Sequence, residues 1–138
     1  MSETVPMTPE ETYRNLARWE ERVLERLLAA EFPGRQELAE QVRKSLVRTV
    51  DPEGSLAFQV GTETLAPVEK RIPVEAEAKD ADGQTVHALL HVSKGKVVEL
   101  EIYKEDGSPI EQAPDALDWE VIVLPTAPSG GWLGARPN

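Results

Sequence analysis

Two histidines, His87 and His91, stand four residues apart in the run HALLH. Glutamates crowd the segments on either side, Glu75 and Glu77 before them and Glu99 and Glu101 after. An imidazole set between carboxylates is the arrangement of a general acid–base site. The same groups are ligands for a divalent ion. The spacing of the two histidines separates these options by backbone type. On a helix, positions i and i+4 share a face within chelating reach. On a strand, four steps of about 3.3 Å put them about 13 Å apart, too far for one ion.

The surrounding pattern is that of strands. Ile72, Val74, Ala76 and Ala78 alternate with Pro73, Glu75, Glu77 and Lys79, and runs at 85–92 and 97–103 follow. Period-two alternation marks a strand with one buried face. His87 and His91 are therefore not a chelating pair. Asp80-Ala81-Asp82-Gly83 has the look of a calcium loop. In that frame, however, Ala78 holds the first ligand position and Leu89 the twelfth, so both key carboxylates are missing and the segment is a turn.

Each connection ends in glycine: Asp82-Gly83, Lys94-Gly95 and Asp106-Gly107. A two-residue loop at Asp82-Gly83 would set Glu77 opposite Ala88, mixing acids with apolar residues on one face. A three-residue loop with glycine in the left-handed position pairs Ala78 with Val86, Ala76 with Ala88, Val74 with Leu90 and Ile72 with Val92, an apolar face. The same loop at Ser93-Lys94-Gly95 predicts Leu90 opposite Val98, Ala88 opposite Leu100 and Val86 opposite Ile102. At Glu105-Asp106-Gly107 it predicts Ile102 opposite Ile110, in a short strand at Ser108-Pro109-Ile110. A one-residue slip would turn every side chain to the wrong face.

On the other face this register predicts a row of Glu77, His87 and Glu101, with Glu75, Leu89 and Glu99 beside it, Thr85 opposite Tyr103 and His91 opposite Val97. The candidate catalytic residues are thus His87, Glu77 and Glu101. The candidate binding surface is Glu75, Glu77, His87, Glu99, Glu101 and Tyr103. A water-exposed sheet face with favourable cross-strand pairs would present the same residues without any chemistry. A flat sheet also lacks the concavity that catalysis generally uses.

The strands need a cover for their apolar face. Thr8-Pro9-Glu10-Glu11 predicts a helix start, with Thr8 as cap, Pro9 in the first turn and Glu11 completing a capping box. The run that follows lines up Leu16, Trp19, Val23, Leu24, Leu27 and Leu28 on one side and Arg14, Arg18, Glu21, Glu25 and Arg26 on the other, until Phe32-Pro33-Gly34 stops it. A second helix is predicted over 36–44, with Leu38 and Val42 inward. Residues 46–50, 56–60 and 119–124 have strand character. The fold class is α+β, a helix or helix pair on one face of an antiparallel β-meander sheet of about five strands. One such domain spans 8–124, between a flexible N-terminus at 1–7 and a flexible, proline- and glycine-rich tail at 125–138.

Bulk composition narrows the function. The 138 residues carry a formal net charge of −10, which repels phosphate backbones and argues against nucleic acid as a direct partner. There is no cysteine, so disulfides, thiolate catalysis and cysteine-ligated metal centres are excluded. No stretch approaches the ~18 apolar residues of a membrane helix, and the first residues have neither the basic nor the apolar region of a signal peptide. The expected address is the cytoplasm. No phosphate loop, dinucleotide-binding glycine pattern or nucleophile elbow is present, and no cofactor or metal is expected. Trp132-Leu133 in the tail has the form of a short docking motif, or of an aromatic carried by an untethered end.

The central block RIPVEAEAKDADGQTVHALLHVSKGKVVELEIYKEDGSPI resembles that of a family of small bacterial proteins of unknown function. The resemblance runs from Phe32 to Ile110 and rests on GSL, the PVEAEA run and ELEIYKEDGSPI, which are turn-and-strand signatures. It implies bacterial origin and this compact fold, and no activity, cofactor or site residue.

Three functions fit. The first is a protein-binding, regulatory or immunity-type module that docks on a basic protein partner by its acidic surface. The second is an enzyme or metal-binding domain built on Glu77, His87 and Glu101. The third is a carrier with a cavity between helix and sheet, for which nothing in the composition argues.

Overall fold

The computed structural model describes residues 12–123. The expectations placed on the capping box at Thr8–Glu11, on the first seven residues and on the tail with Trp132-Leu133 fall outside them. The helices are α1 (Arg18–Leu28) and α2 (Arg35–Arg43). Six strands follow: β1 (Ser45–Thr49), β2 (Leu56–Val60), β3 (Val74–Lys79), β4 (Thr85–Ser93), β5 (Lys96–Lys104) and β6 (Glu120–Ile122). They form one antiparallel sheet in the order β1-β2-β5-β4-β3-β6. This is the predicted α+β class, with the predicted meander at β3-β4-β5.

Both helices pack on the face where Val74, Ala76, Ala78, Val86, Ala88, Leu90, Leu100 and Ile102 point inward. Val23, Leu24, Leu27 and Leu28 from α1, with Leu38 and Val42 from α2, close this core. The α1 helix begins later than its pattern predicts. Arg14 is not on its polar side but in an extended segment, exchanging backbone hydrogen bonds with Val47 at 2.8 and 2.7 Å. The cause is Glu20, buried in the first turn. Its carboxylate accepts the Ala17 N–H at 2.8 Å and two N–H groups of Arg14 at 2.9 and 2.8 Å, which ends the helix at Arg18.

The first hairpin has the predicted register: Ala78 opposite Val86, Ala76 opposite Ala88 and Val74 opposite Leu90, with Gly83 at φ 85°. Beyond Val74 the ladder lapses, and the Val92 N–H donates to Arg71 C=O rather than Val92 pairing with Ile72.

The second hairpin corrects the prediction. Its loop is the two residues Lys94-Gly95, both at positive φ (53° and 79°), between Ser93 and Lys96. Val92 faces Val97 and His91 faces Glu99, so Val98 is an extra, bulged residue. Val97 is buried and Val98 is exposed, the reverse of the expected faces. Leu90 pairs with Leu100, Ala88 with Ile102 and Val86 with Lys104, two residues from the predicted alignment.

The cause lies outside the hairpin. The buried Gln41 side chain donates to Thr64 C=O and Gly95 C=O at 2.9 and 2.7 Å and accepts the Val97 N–H at 2.9 Å. Ala66 N–H also reaches Gly95 C=O at 2.8 Å. The α2 helix and the long connection from β2 to β3 thereby grip the hairpin tip.

The third predicted hairpin does not form. Gly107 turns the chain at φ 77°, but residues 108–110 are not a strand. The place beside β5 belongs to β2, through Leu56–Leu100 and Ala57–Glu99 pairs. Residues 109–112 bind a buried ion pair instead. Pro109 C=O accepts from Lys104 Nζ at 3.1 Å, and the N–H groups of Glu111 and Gln112 donate to Asp80 at 2.7 and 3.0 Å.

Candidate functional site

Strand alternation sends one set of side chains to the face away from the helices. Register arranges them in rows across the sheet. One row is Glu120, Glu77, His87 and Tyr103. The next is Ile122, Glu75, Leu89 and Glu101, and a third is His91, Glu99, Ala57 and Arg48. All six residues of the predicted binding surface lie on this face. β4 contributes its histidines and Leu89, and the strands on either side contribute the acids.

The predicted row of Glu77, His87 and Glu101 is not assembled as such. Glu77 is opposite His87, but the slot on β5 belongs to Tyr103, because the two-residue loop and the bulge at Val98 each shift the alignment by one. Thr85 is accordingly not opposite Tyr103 and His91 is not opposite Val97. Glu101 lies one row along and bonds the other histidine, with its Oε1 2.9 Å from His91 Nε2. The acid on the far side of His87 is Glu105, whose Oε2 is 3.1 Å from His87 Nε2. Glu77 Oε2 is 3.9 Å from His87 Nδ1. The strand-end position of Glu105 hides it from a reading of strand faces alone.

Both imidazoles are largely covered, at 14% and 13% side-chain exposure for His87 and His91. The His87 ring stacks on Tyr103 with centroids 4.7 Å apart and planes 14° from parallel. Carboxylates only accept hydrogen bonds, so each imidazole Nε2 carries the proton in these contacts. His91 Nδ1 is buried without a hydrogen-bond partner among the described residues. Burial, and then the charges of Glu101, Glu105, Glu75 and Glu77, push the Tyr103 phenol above its ordinary value, so it stays protonated.

Among the described residues, one group of three acids brings ligand atoms together: Asp80, Asp82 and Glu111. A cation of the chain itself already sits there. Lys104 Nζ is 2.7 Å from Asp80 Oδ2 and 2.7 Å from Asp82 Oδ2. Asp80 is held well below the usual carboxylate range. Its burial alone would raise it, and the hydrogen bonds from Lys104 and from the N–H groups of Glu111, Ala81 and Gln112 outweigh that. Burial likewise favours neutral Lys104, but the hydrogen bonds it donates to Asp80 and Asp82 hold it above the ordinary lysine value. Alternation could have found this pair, since position 80 continues the inward stripe of β3 and position 104 that of β5. A charged residue in an apolar stripe needs a partner.

A groove of about 700 Å³ runs between α1 and α2, over Leu16, Leu24, Leu28, Ala39 and Val42. It lies on the helical side of the molecule, across the sheet from His87, and not between helix and sheet as a carrier would have it. No helix among the described residues is long and apolar enough to cross a membrane.

No curated protein and no solved structure matches the chain. The model of the family described as Domain of unknown function (DUF6984) matches residues 13–114, starting earlier than the block from Phe32 that carried the resemblance in the sequence. That match takes in both helices and five of the six strands, leaving out β6, and on this ground the chain belongs to the DUF6984 family.

Proposed function

We propose that this protein is a binding module that docks on a basic partner protein through the outer face of its sheet. The observation that carries this reading is the arrangement of Glu75, Glu77, Glu99, Glu101 and Glu120 across neighbouring strands, with Glu105 reaching in to His87. Basic side chains stand only at the borders of these rows, as Arg48 and Lys79 do. Such a field steers a basic surface toward the face and disfavours acidic ones. Leu89 and Tyr103 add apolar area in its middle, as interface centres require.

The test is affinity capture with the wild-type chain and with a variant carrying Glu75→Lys, Glu77→Lys, Glu99→Lys and Glu101→Lys. A basic protein should be retained by the wild type at low salt, and be lost both at high salt and with the variant. Equal recovery by both chains would overturn the reading. An acid–histidine catalytic or metal site draws less support. Glu101 is not beside His87, and the acids and histidines of this face do not bring three ligand atoms together among the described residues.

A further inference from the structure

We propose that the outer face recognises arginine rather than positive charge in general, by stacking a guanidinium on the open side of the Tyr103 ring between Glu101 and Glu105. This rests on the docking role above and names the group that the surface would read.

The geometry around Tyr103 is one-sided. His87 from β4 covers one face of the ring in a near-parallel stack. On the other side, the registered pairs between β5 and β2 end at Leu56–Leu100, so no strand residue is paired with Tyr103 there. The residue is accordingly 39% exposed, although it belongs to an interior strand of the sheet. Glu101, its i−2 neighbour, is on the same face of β5, and Glu105, its i+2 neighbour, is the first residue beyond the strand and bonds His87. Glu105 spends one oxygen on His87 and remains 57% exposed.

A ring backed by a held imidazole and bordered by carboxylates suits a planar cation. Guanidinium is weakly hydrated, stacks on aromatic faces and gives parallel N–H donors to a carboxylate. An ammonium is a strongly hydrated point charge and gains less from the ring. The stack with His87, which Glu105 and Glu77 hold from either side, fixes the ring plane before binding, so little rotamer freedom remains to be lost. Among the described residues one Arg–Tyr contact of this kind occurs within the chain, with Arg48 Cζ 5.8 Å from the centre of the Tyr13 ring.

The experiment uses the full chain at low salt and two labelled peptides of equal length and charge, one alternating arginine and serine and the other lysine and serine. Fluorescence anisotropy should show the arginine peptide binding roughly fivefold to tenfold more tightly, in keeping with one cation–π contact at a partly exposed site. Tyr103→Ala should lower the arginine peptide to the level of the lysine peptide and leave the latter nearly unchanged. Tyr103→Phe, which keeps the ring, should preserve the preference. Circular dichroism of each variant checks the fold. Equal affinity for both peptides, or equal weakening of both by Tyr103→Ala, overturns arginine reading while leaving docking by charge intact. If neither peptide binds the wild-type chain, both proposals fall.

Discussion

Lys104 and Asp80 form an ion pair with no exposed side-chain surface, their nearest atoms 2.7 Å apart, at the end of an otherwise apolar sheet face. Asp80 closes the β3-β4 turn through the Ala81 N–H and holds residues 111 and 112. Lys104 holds Asp82 and Pro109. The β3-β4 turn, the end of β5 and residues 109–112 thus meet at one pair of charges.

Removing one member of this pair leaves the other buried and unpaired, which costs more than replacing both. Asp80→Ala and Lys104→Met should each lower the urea midpoint by more than any surface ion-pair change, for example loss of Arg22–Asp115. The double variant Asp80→Leu/Lys104→Met should recover part of the loss. Equilibrium urea unfolding checks this, and a double variant weaker than both singles would count against it.

The pair also sets a pH window. Asp80 and Asp82 are lowered in the folded chain, so their stabilisation is present above the unfolded value of about 3.9 and is lost as pH falls through the folded values. Lys104 is raised, so its share is present below the unfolded value of about 10.4 and is lost as pH rises through the folded value. The pair therefore contributes fully from about pH 5 to about pH 10. Thermal unfolding should show a fall in Tm below about pH 5, and Asp80→Asn should flatten that limb.

Lys94 occupies the left-handed region at φ 53° in a loop where both residues need positive φ. Lys94→Asn should stabilise the chain by about 0.5–1 kcal/mol, since asparagine visits this region more readily. Gly95→Ala should destabilise it. A Cβ there would stand 3.0 Å from Leu65 Cβ and 3.1 Å from Ala66 O, on a backbone already at φ 79°. Denaturant midpoints of the two variants should move in opposite directions.

Gln41 is fully buried, and its amide satisfies two carbonyls and one N–H. Gln41→Leu takes this partner from Thr64 C=O and the Val97 N–H, leaves Gly95 C=O with the Ala66 N–H alone, and should cost about 1–3 kcal/mol. Hydrogen exchange at the Val97 amide should quicken by more than the global loss of stability accounts for, because the hairpin tip loses its hold.

Periodicity and turn glycines were enough for the fold class, for the helices and strands other than the one expected at residues 108–110, and, Val97 and Val98 apart, for the face on which the residues of β3, β4 and β5 lie. They also settled the first hairpin, where a one-residue slip would put Glu77 among Ala76, Ala88 and Leu90. The second hairpin escaped them for a plain reason. A shift of two residues leaves almost every side chain on its own face, so alternation is blind to it. Gln41 and the 64–66 segment chose between the loops by binding Gly95, and that choice exchanged Glu101 for Tyr103 beside His87. Strand order escaped as well. Backbone N–H and C=O groups are the same at every residue, so nothing in the chain's pattern says that β2 rather than residues 108–110 will complete the edge of β5. The face was written in the sequence, and the neighbours on it were decided by contacts between segments far apart along the chain.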